Sequence, residues 1–82
     1  MFYTYVLYSV KFERIYVGQT EDLEKRIERH NSGRVKSTKP YLPWEIIHSE
    51  EFETKVESLK REKELKTHKG RDYICSKIRE LY

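Results

Sequence analysis

Glu62 is the carboxylate whose position most needs explaining. It stands three residues after Leu59 and three before Leu65, on a row that a helix would turn toward its core. A carboxylate there needs a cation, a hydrogen-bond partner or a route to solvent. Two readings follow. Either Glu62 lies at the edge of the row and pairs with Lys66 at i+4, or it holds a metal ion. Arg26 and His30 are also i, i+4 neighbours, beside the apolar pair Leu23 and Ile27. One helix face would then carry a guanidinium, which offers directed donors to an oxyanion, and an imidazole, which titrates near neutral pH. Both are equally ordinary surface residues. Tyr3 and Tyr5 share a strand face by alternation, and Tyr16 belongs to a second aromatic run. Buried tyrosines usually form core with a satisfied hydroxyl, and they can also position a water or a phosphate.

Basic residues recur at Arg34, Lys36 and Lys39, then at Lys66, Lys69 and Arg71 around Gly70. These two clusters make one phosphate-contacting rim if the fold joins them, and a solvated face if it does not. Cys75 reads as a small core residue, and His48 and His68 fall in no ligand spacing.

The elements that must position these groups are legible from local patterns. Phe2 to Tyr8 and Ile15 to Val17 read as two strands joined by a turn over Lys11 to Arg14, with Gly18 ending the second. Thr20 is the expected N-cap of a helix running to about Asn31, with Glu21 and Asp22 in its first turn and Gly33 as its stop. The following loop, Arg34 to Pro43, contains both prolines and three basic residues, which argues against regular structure. Trp44 to Phe52 reads as a third strand. Thr54 and Glu57 then fit a capping box, with the Glu57 side chain reaching back to the Thr54 amide. This second helix should continue past Leu65 toward Gly70, and Ile74, Ile78 and Leu81 mark a third. The order β-β-α-β-α-α predicts an α+β fold, a small antiparallel sheet with helices packed on it, as a single domain over residues 1–82.

Composition bounds the partners. The 82 residues leave no room for a second core, and 37% hydrophobic against 38% charged residues predict a polar chain with a small one. Seven tyrosines, three phenylalanines and one tryptophan supply the packing mass. A single cysteine excludes an intrachain disulfide and a thiolate zinc cage, and predicts a cytoplasmic setting. No apolar stretch approaches the roughly 20 residues needed to span a bilayer, so no membrane partner is expected. A net charge of +3 permits a polyanionic partner without requiring one.

Taken together, these residues resemble the GIY-YIG nuclease family. Tyr3-Thr4-Tyr5 stands where the family's first tripeptide ends in tyrosine, although Tyr3 and Thr4 replace its glycine and isoleucine. Tyr16-Val17-Gly18 matches the second tripeptide. Arg26 and His30 follow on the next helix, and Glu62 lies within Arg61-Glu62-Lys63-Glu64-Leu65-Lys66 on the later one. The resemblance covers nearly the whole chain, as in a free-standing minimal nuclease domain. It implies a three-stranded antiparallel sheet flanked by helices, an active site on a sheet face, and metal-dependent hydrolysis of nucleic-acid phosphodiesters, DNA more than RNA. Arg26 would stabilise charge on the phosphoryl oxygens, and Glu62 would hold a single Mg²⁺, with Mn²⁺ a substitute. Tyr16 is the implied general base, although an unperturbed phenol ionises near pH 10 and needs positive charge close by. His30 is the rival base, and Tyr5 would position water or phosphate. Gln19 stands where several relatives carry lysine, which removes one charge contact. With Gln19, the basic residues Arg34, Lys36, Lys39, Lys66, Lys69 and Arg71 would contact nucleic acid.

So small a domain has little surface for reading a long site, which predicts structure-selective or weakly sequence-specific cutting, or help from a homodimer or partner protein. The alternative is a non-catalytic nucleic-acid-binding module that uses sheet aromatics and the basic rim. Simple binding does not explain a carboxylate facing a polyanion.

Overall fold

The computed structural model describes residues 1–82. Strand β1 (Phe2–Ser9) is central, hydrogen-bonded to β2 (Arg14–Thr20) on one side and to β3 (Glu45–Phe52) on the other, both antiparallel. The helices are α1 (Leu23–Asn31), α2 (Lys55–Leu65) and α3 (His68–Leu81). The α+β architecture and the element order β-β-α-β-α-α are those the sequence predicts. A single 3₁₀ turn, Lys39–Tyr41, interrupts the proline-bearing loop.

Pairing register decides which residues share a face. Tyr5 lies opposite Gly18 and Leu7 opposite Tyr16, and directly opposed residues point to the same side. That face packs Tyr5, Leu7 and Trp44 against Leu23 and Ile27 of α1. The other face packs Val6, Tyr8, Val17 and Ile47 against Leu65 of α2 and Ile74 of α3. The sheet therefore separates α1 from the α2–α3 pair. In β3, His48 pairs with Val6 and Ile46 with Leu7, so Ile47 is the extra residue of a bulge.

The helix ends correct several local expectations. Asp22, not Thr20, caps α1, its side chain accepting from the Lys25 amide at 3.1 Å. Strand β2 runs on through Gly18 to Thr20, because Gly18, Gln19 and Thr20 continue the ladder with Tyr5, Thr4 and Tyr3. Thr54 caps α2 as expected, but the Glu57 carboxylate accepts from the Thr54 hydroxyl at 2.8 Å instead of reaching its amide. Helix α2 ends at Leu65, and Thr67 caps α3 by accepting from the Gly70 amide at 3.2 Å. Gly70 is thus inside the first turn of α3. A Cβ there would lie 2.5 Å from the Leu65 Cα, so glycine permits the tight corner between the two helices. Leu59, expected on the inner row, is 44% exposed, and Ser58 takes that place. The buried Thr4 hydroxyl donates to the Ser58 carbonyl at 2.6 Å and ties α2 to the central strand.

Candidate active site

The site is built around the Tyr5 phenol, which leaves the central strand and crosses β2 over Gly18. An alanine Cβ at Gly18 would sit 2.5 Å from the Tyr5 hydroxyl and 3.0 Å from the Tyr16 ring. Glycine is therefore what lets the two tyrosines share this space. Their ring centroids are 6.2 Å apart, and Tyr16 lies 4.8 Å from the His30 ring.

His30 is fully buried, and both of its ring nitrogens are engaged. Nε2 meets the Tyr5 hydroxyl at 3.0 Å and Nδ1 meets Thr38 Oγ1 at 2.9 Å. The Thr38 hydroxyl donates to the Val35 carbonyl, which makes Nδ1 the donor to Oγ1 and Nε2 the acceptor from Tyr5. The pKa shifts agree with this neutral chain. Burial pushes the Tyr5 phenol far above its ordinary range; the neighbouring Tyr16 and Glu62 act in the same direction, and the Arg26 charge opposes them. Burial lowers the His30 pKa, and the positive charges of Arg26 and Arg29 lower it further. Trp44 braces the chain from behind. Its indole N–H donates to the Thr38 carbonyl at 2.9 Å, and Asn31 pairs with both backbone groups of Trp44.

Arg26 is carried by α1 and Glu62 by α2, on opposite sides of the sheet. Arg26 is half-buried and makes no ion pair. Glu62 is 21% exposed and accepts from Lys66 Nζ at 2.7 Å, which is the i, i+4 pairing anticipated from spacing. No group of three or more His, Cys, Asp or Glu side chains is arranged to hold a metal ion. A single partly open carboxylate matches the needs of Mg²⁺, a hard cation that keeps most of its waters and takes one or two protein oxygens. The Lys66 pair does not bar that role, since exposed i, i+4 pairs contribute only about 0.3–0.5 kcal/mol.

The basic residues divide among separate grooves. Lys66 and Arg71 share a groove of about 300 Å³ with Ile15, Val17, Leu65 and Ile74, on the α2–α3 side of β2. Arg34 instead joins Lys25, Arg29 and Glu28 in a groove of about 510 Å³ on the outer side of α1. Lys69 faces a third, between Arg61 and Tyr73, so the two basic clusters do not line one groove. Lys36 and Lys39 are exposed in the loop. Gln19 is half-buried on the α2 side of β2, and its Nε2 has no hydrogen-bond partner. Sequence reasoning missed Lys25 and Arg29, although their spacing from Arg26 and His30 already marked this helix as basic. Thr38 and Trp44 carried no such signal, because their part depends on contacts across the fold.

The three-stranded antiparallel sheet, with α1 on one face and α2 and α3 on the other, is the framework that carries Tyr5, Tyr16, Arg26 and Glu62. Residues 1–75 match the GIY-YIG catalytic domain, and the chain belongs to the GIY-YIG family, a family of nucleases. Members of that family act on nucleic acid and generally use divalent metal ions. The chain is 44% identical over 66 residues to a UPF0213 protein of Staphylococcus saprophyticus, covering 79% of each. It is also 44% identical over 55 residues to a UPF0213 protein of Staphylococcus aureus, covering 66% of this chain and 67% of the relative. The solution NMR structure of the UPF0213 protein BH0048 from Bacillus halodurans superimposes with a TM-score of 0.54 at 30% identity, over 93% of this chain and 84% of that one. No helix is long and apolar enough to cross a membrane.

Proposed function

We propose that this protein is a metal-dependent endonuclease that hydrolyses DNA phosphodiester bonds with structural or weak sequence preference. The observation that carries the reading is the packing of Tyr5 and Tyr16 over Gly18, against His30 one turn along α1 from Arg26. Glu62 would hold Mg²⁺ or Mn²⁺, and such an ion, when bound, neutralises charge building on the leaving oxygen. Arg26 directs its guanidinium N–H donors at the phosphoryl oxygens, where negative charge grows in the transition state.

Tyr16, in its phenolate form with its own hydroxyl proton already released to solvent, is assigned to receive the proton of the attacking water. It is half-buried, whereas His30 is fully buried with both nitrogens bonded. Tyr5 and His30 form a neutral, rigid support that fixes where Tyr16 and Arg26 stand. Lys66 and Arg71, on the α2–α3 side of β2, hold flanking phosphates, and Arg34 with Lys25 and Arg29, in a groove they share with Glu28, offers a second contact to the strand.

One observation favours a second reading, a binding module without catalysis. The Lys66 ammonium at 2.7 Å partly quenches the one carboxylate of the site. The test incubates wild type and Glu62→Gln with end-labelled single-stranded, duplex, flap and branched DNA, with Mg²⁺ or with chelator. Metal-dependent nicking lost in a folded Glu62→Gln protein supports the nuclease. Salt-sensitive binding by both proteins, with cutting by neither, supports the module.

A further inference from the structure

The tip of the β1–β2 hairpin, between Ser9 and Arg14, carries residues that a turn does not need. Loop tips favour Gly, Asn, Asp and Ser, yet Val10, Lys11, Phe12 and Glu13 stand here. Glu13 occupies the left-handed region at φ 52°. Val10 is 49% exposed and Phe12 43%. Phe12 is also not loose. Its ring meets Tyr41 of the 3₁₀ turn edge-on at 5.8 Å, and the Arg14 guanidinium covers the Tyr41 ring at 4.7 Å. Lys11 lies 5.5 Å from the Phe12 ring, and neither Lys11 nor Arg14 pairs with a carboxylate.

The aromatic contacts then continue inward. Tyr41 meets Trp44 at 6.4 Å and Trp44 meets Tyr16 at 6.5 Å, so three ring-to-ring steps connect the hairpin tip to the proposed base. Trp44 is buried, so these contacts brace the hairpin tip against the site through the core. An exposed ring offers a stacking face to any base, and the unpaired cations beside it suit the adjoining phosphates. A paired base inside a duplex cannot present its face to such a ring.

We propose that Phe12, with Tyr41 and Arg14, forms a platform on which an unpaired base of the nucleic acid stacks. This inference rests on the nuclease reading and adds a preference for substrates with a single-stranded stretch. Charge complementarity favours nucleic acid over an apolar protein partner at this surface. The test measures binding in chelator, where cleavage does not interfere, of fluorescent blunt duplex and of the same duplex with a single-stranded tail. Wild type, Phe12→Ala and Phe12→Trp are compared after their thermal midpoints show that each is folded.

The expected result is tighter wild-type binding to the tailed duplex, about tenfold weaker binding of that duplex by Phe12→Ala, little change on blunt duplex, and retention by Phe12→Trp. Equal losses on both substrates, or no loss on the tailed one, overturn the platform while leaving the nuclease reading intact. Sedimentation that shows a wild-type dimer dispersed by Phe12→Ala also overturns it, by making this surface an interface between copies. If wild type binds neither DNA nor matched RNA, the nuclease reading and the platform fall together.

Discussion

The two edges of the sheet handle charge in opposite ways. Along the β3 edge, Glu50 accepts from both His48 at 2.7 Å and Arg61 at 2.8 Å. Arg61 reaches on to Glu64, and Lys77 meets the other ring nitrogen of His48 at 2.9 Å. Each charge there already has a partner. Around the β2 edge and α1, Arg26, Lys25, Arg29 and Arg34 carry no ion pair. Side chains that neutralise one another within the fold have little left to offer a polyanion, whereas unpaired cations can gain from displacing its counterions. The β3 edge neutralises these charges internally, whereas around α1 the cations and the carboxylates Glu24 and Glu28 alike stand without ion pairs.

The contrast breaks most sharply in catalysis. Tyr16→Phe, which keeps the ring and deletes the hydroxyl, should lower metal-dependent cleavage about a hundredfold or more, in the range of a lost general base. Glu50→Gln, on the opposite edge, should leave cleavage within about twofold of wild type. Single-turnover rates on one labelled substrate check both. A Tyr16→Phe protein that cuts normally removes the phenol from the reaction and returns His30 to consideration.

Two glycines give the next largest effects and separate site from scaffold. Gly18→Ala forces a Cβ to within 2.7 Å of the Tyr5 Cζ, and Gly70→Ala drives one into the Leu65 backbone. Overpacking of this kind costs about 1–3 kcal/mol, and the Gly70 clash should lie at the upper end because backbone yields less than a side chain. Their activities should differ. Gly18→Ala should lose cleavage well beyond its loss of folded protein, since it displaces the reacting tyrosine and its support. Gly70→Ala should lose cleavage only in proportion to unfolding, as urea titration paired with rates per folded molecule would show.

How far these roles were legible in the sequence depended on whether the cause was local. The Thr54 cap and the Glu62–Lys66 pair needed only short spacings, and both are present. The strands declared themselves by aromatic and β-branched runs. Gly18 looked like a strand end because nothing in the chain tells that Tyr5, thirteen residues earlier, will cross above it. Leu59 looked buried because helical rows show which residues align but not which row meets the sheet. His30 looked like an accessible base. Its closure depends on Thr38, which a loop carries back against α1, and no pattern in that loop announces the contact.

Acid should dismantle the two edges in different pH windows. An unfolded imidazole takes its proton near 6.5, while burial, with Arg26 and Arg29, holds folded His30 below that value. The unfolded state therefore binds more protons as pH falls below about 6.5, and stability declines from there. Glu50 behaves as a carboxylate of the opposite edge. Burial would raise its pKa, but hydrogen bonds from His48 and Arg61 outweigh that and hold it below its ordinary 4.5. Its contribution is complete above about 4.5 and fades as pH falls through the lower folded value. Urea midpoints measured from pH 8 to 3 should show the first decline blunted in His30→Gln and the second in Glu50→Gln. An unchanged slope between pH 6.5 and 5 in His30→Gln would show that the Tyr5–His30–Thr38 chain is not held neutral.

The smallest effect sharpens the comparison most finely, because it counts charges one at a time. Arg34→Ala should weaken DNA binding severalfold and reduce the slope of log affinity against log salt by about one. Arg61→Ala removes the same formal charge from the chain, but that charge is already shared between Glu50 and Glu64. Its salt slope should stay close to that of wild type. If the two variants instead shift the slope equally, DNA senses only the overall charge, and the unpaired cations around α1 have no particular place in its path. A difference confined to Arg34→Ala would place the strand along the groove that Arg34 shares with Lys25 and Arg29. Position would then decide which charges DNA meets, in a protein whose net charge of +3 gives little general attraction.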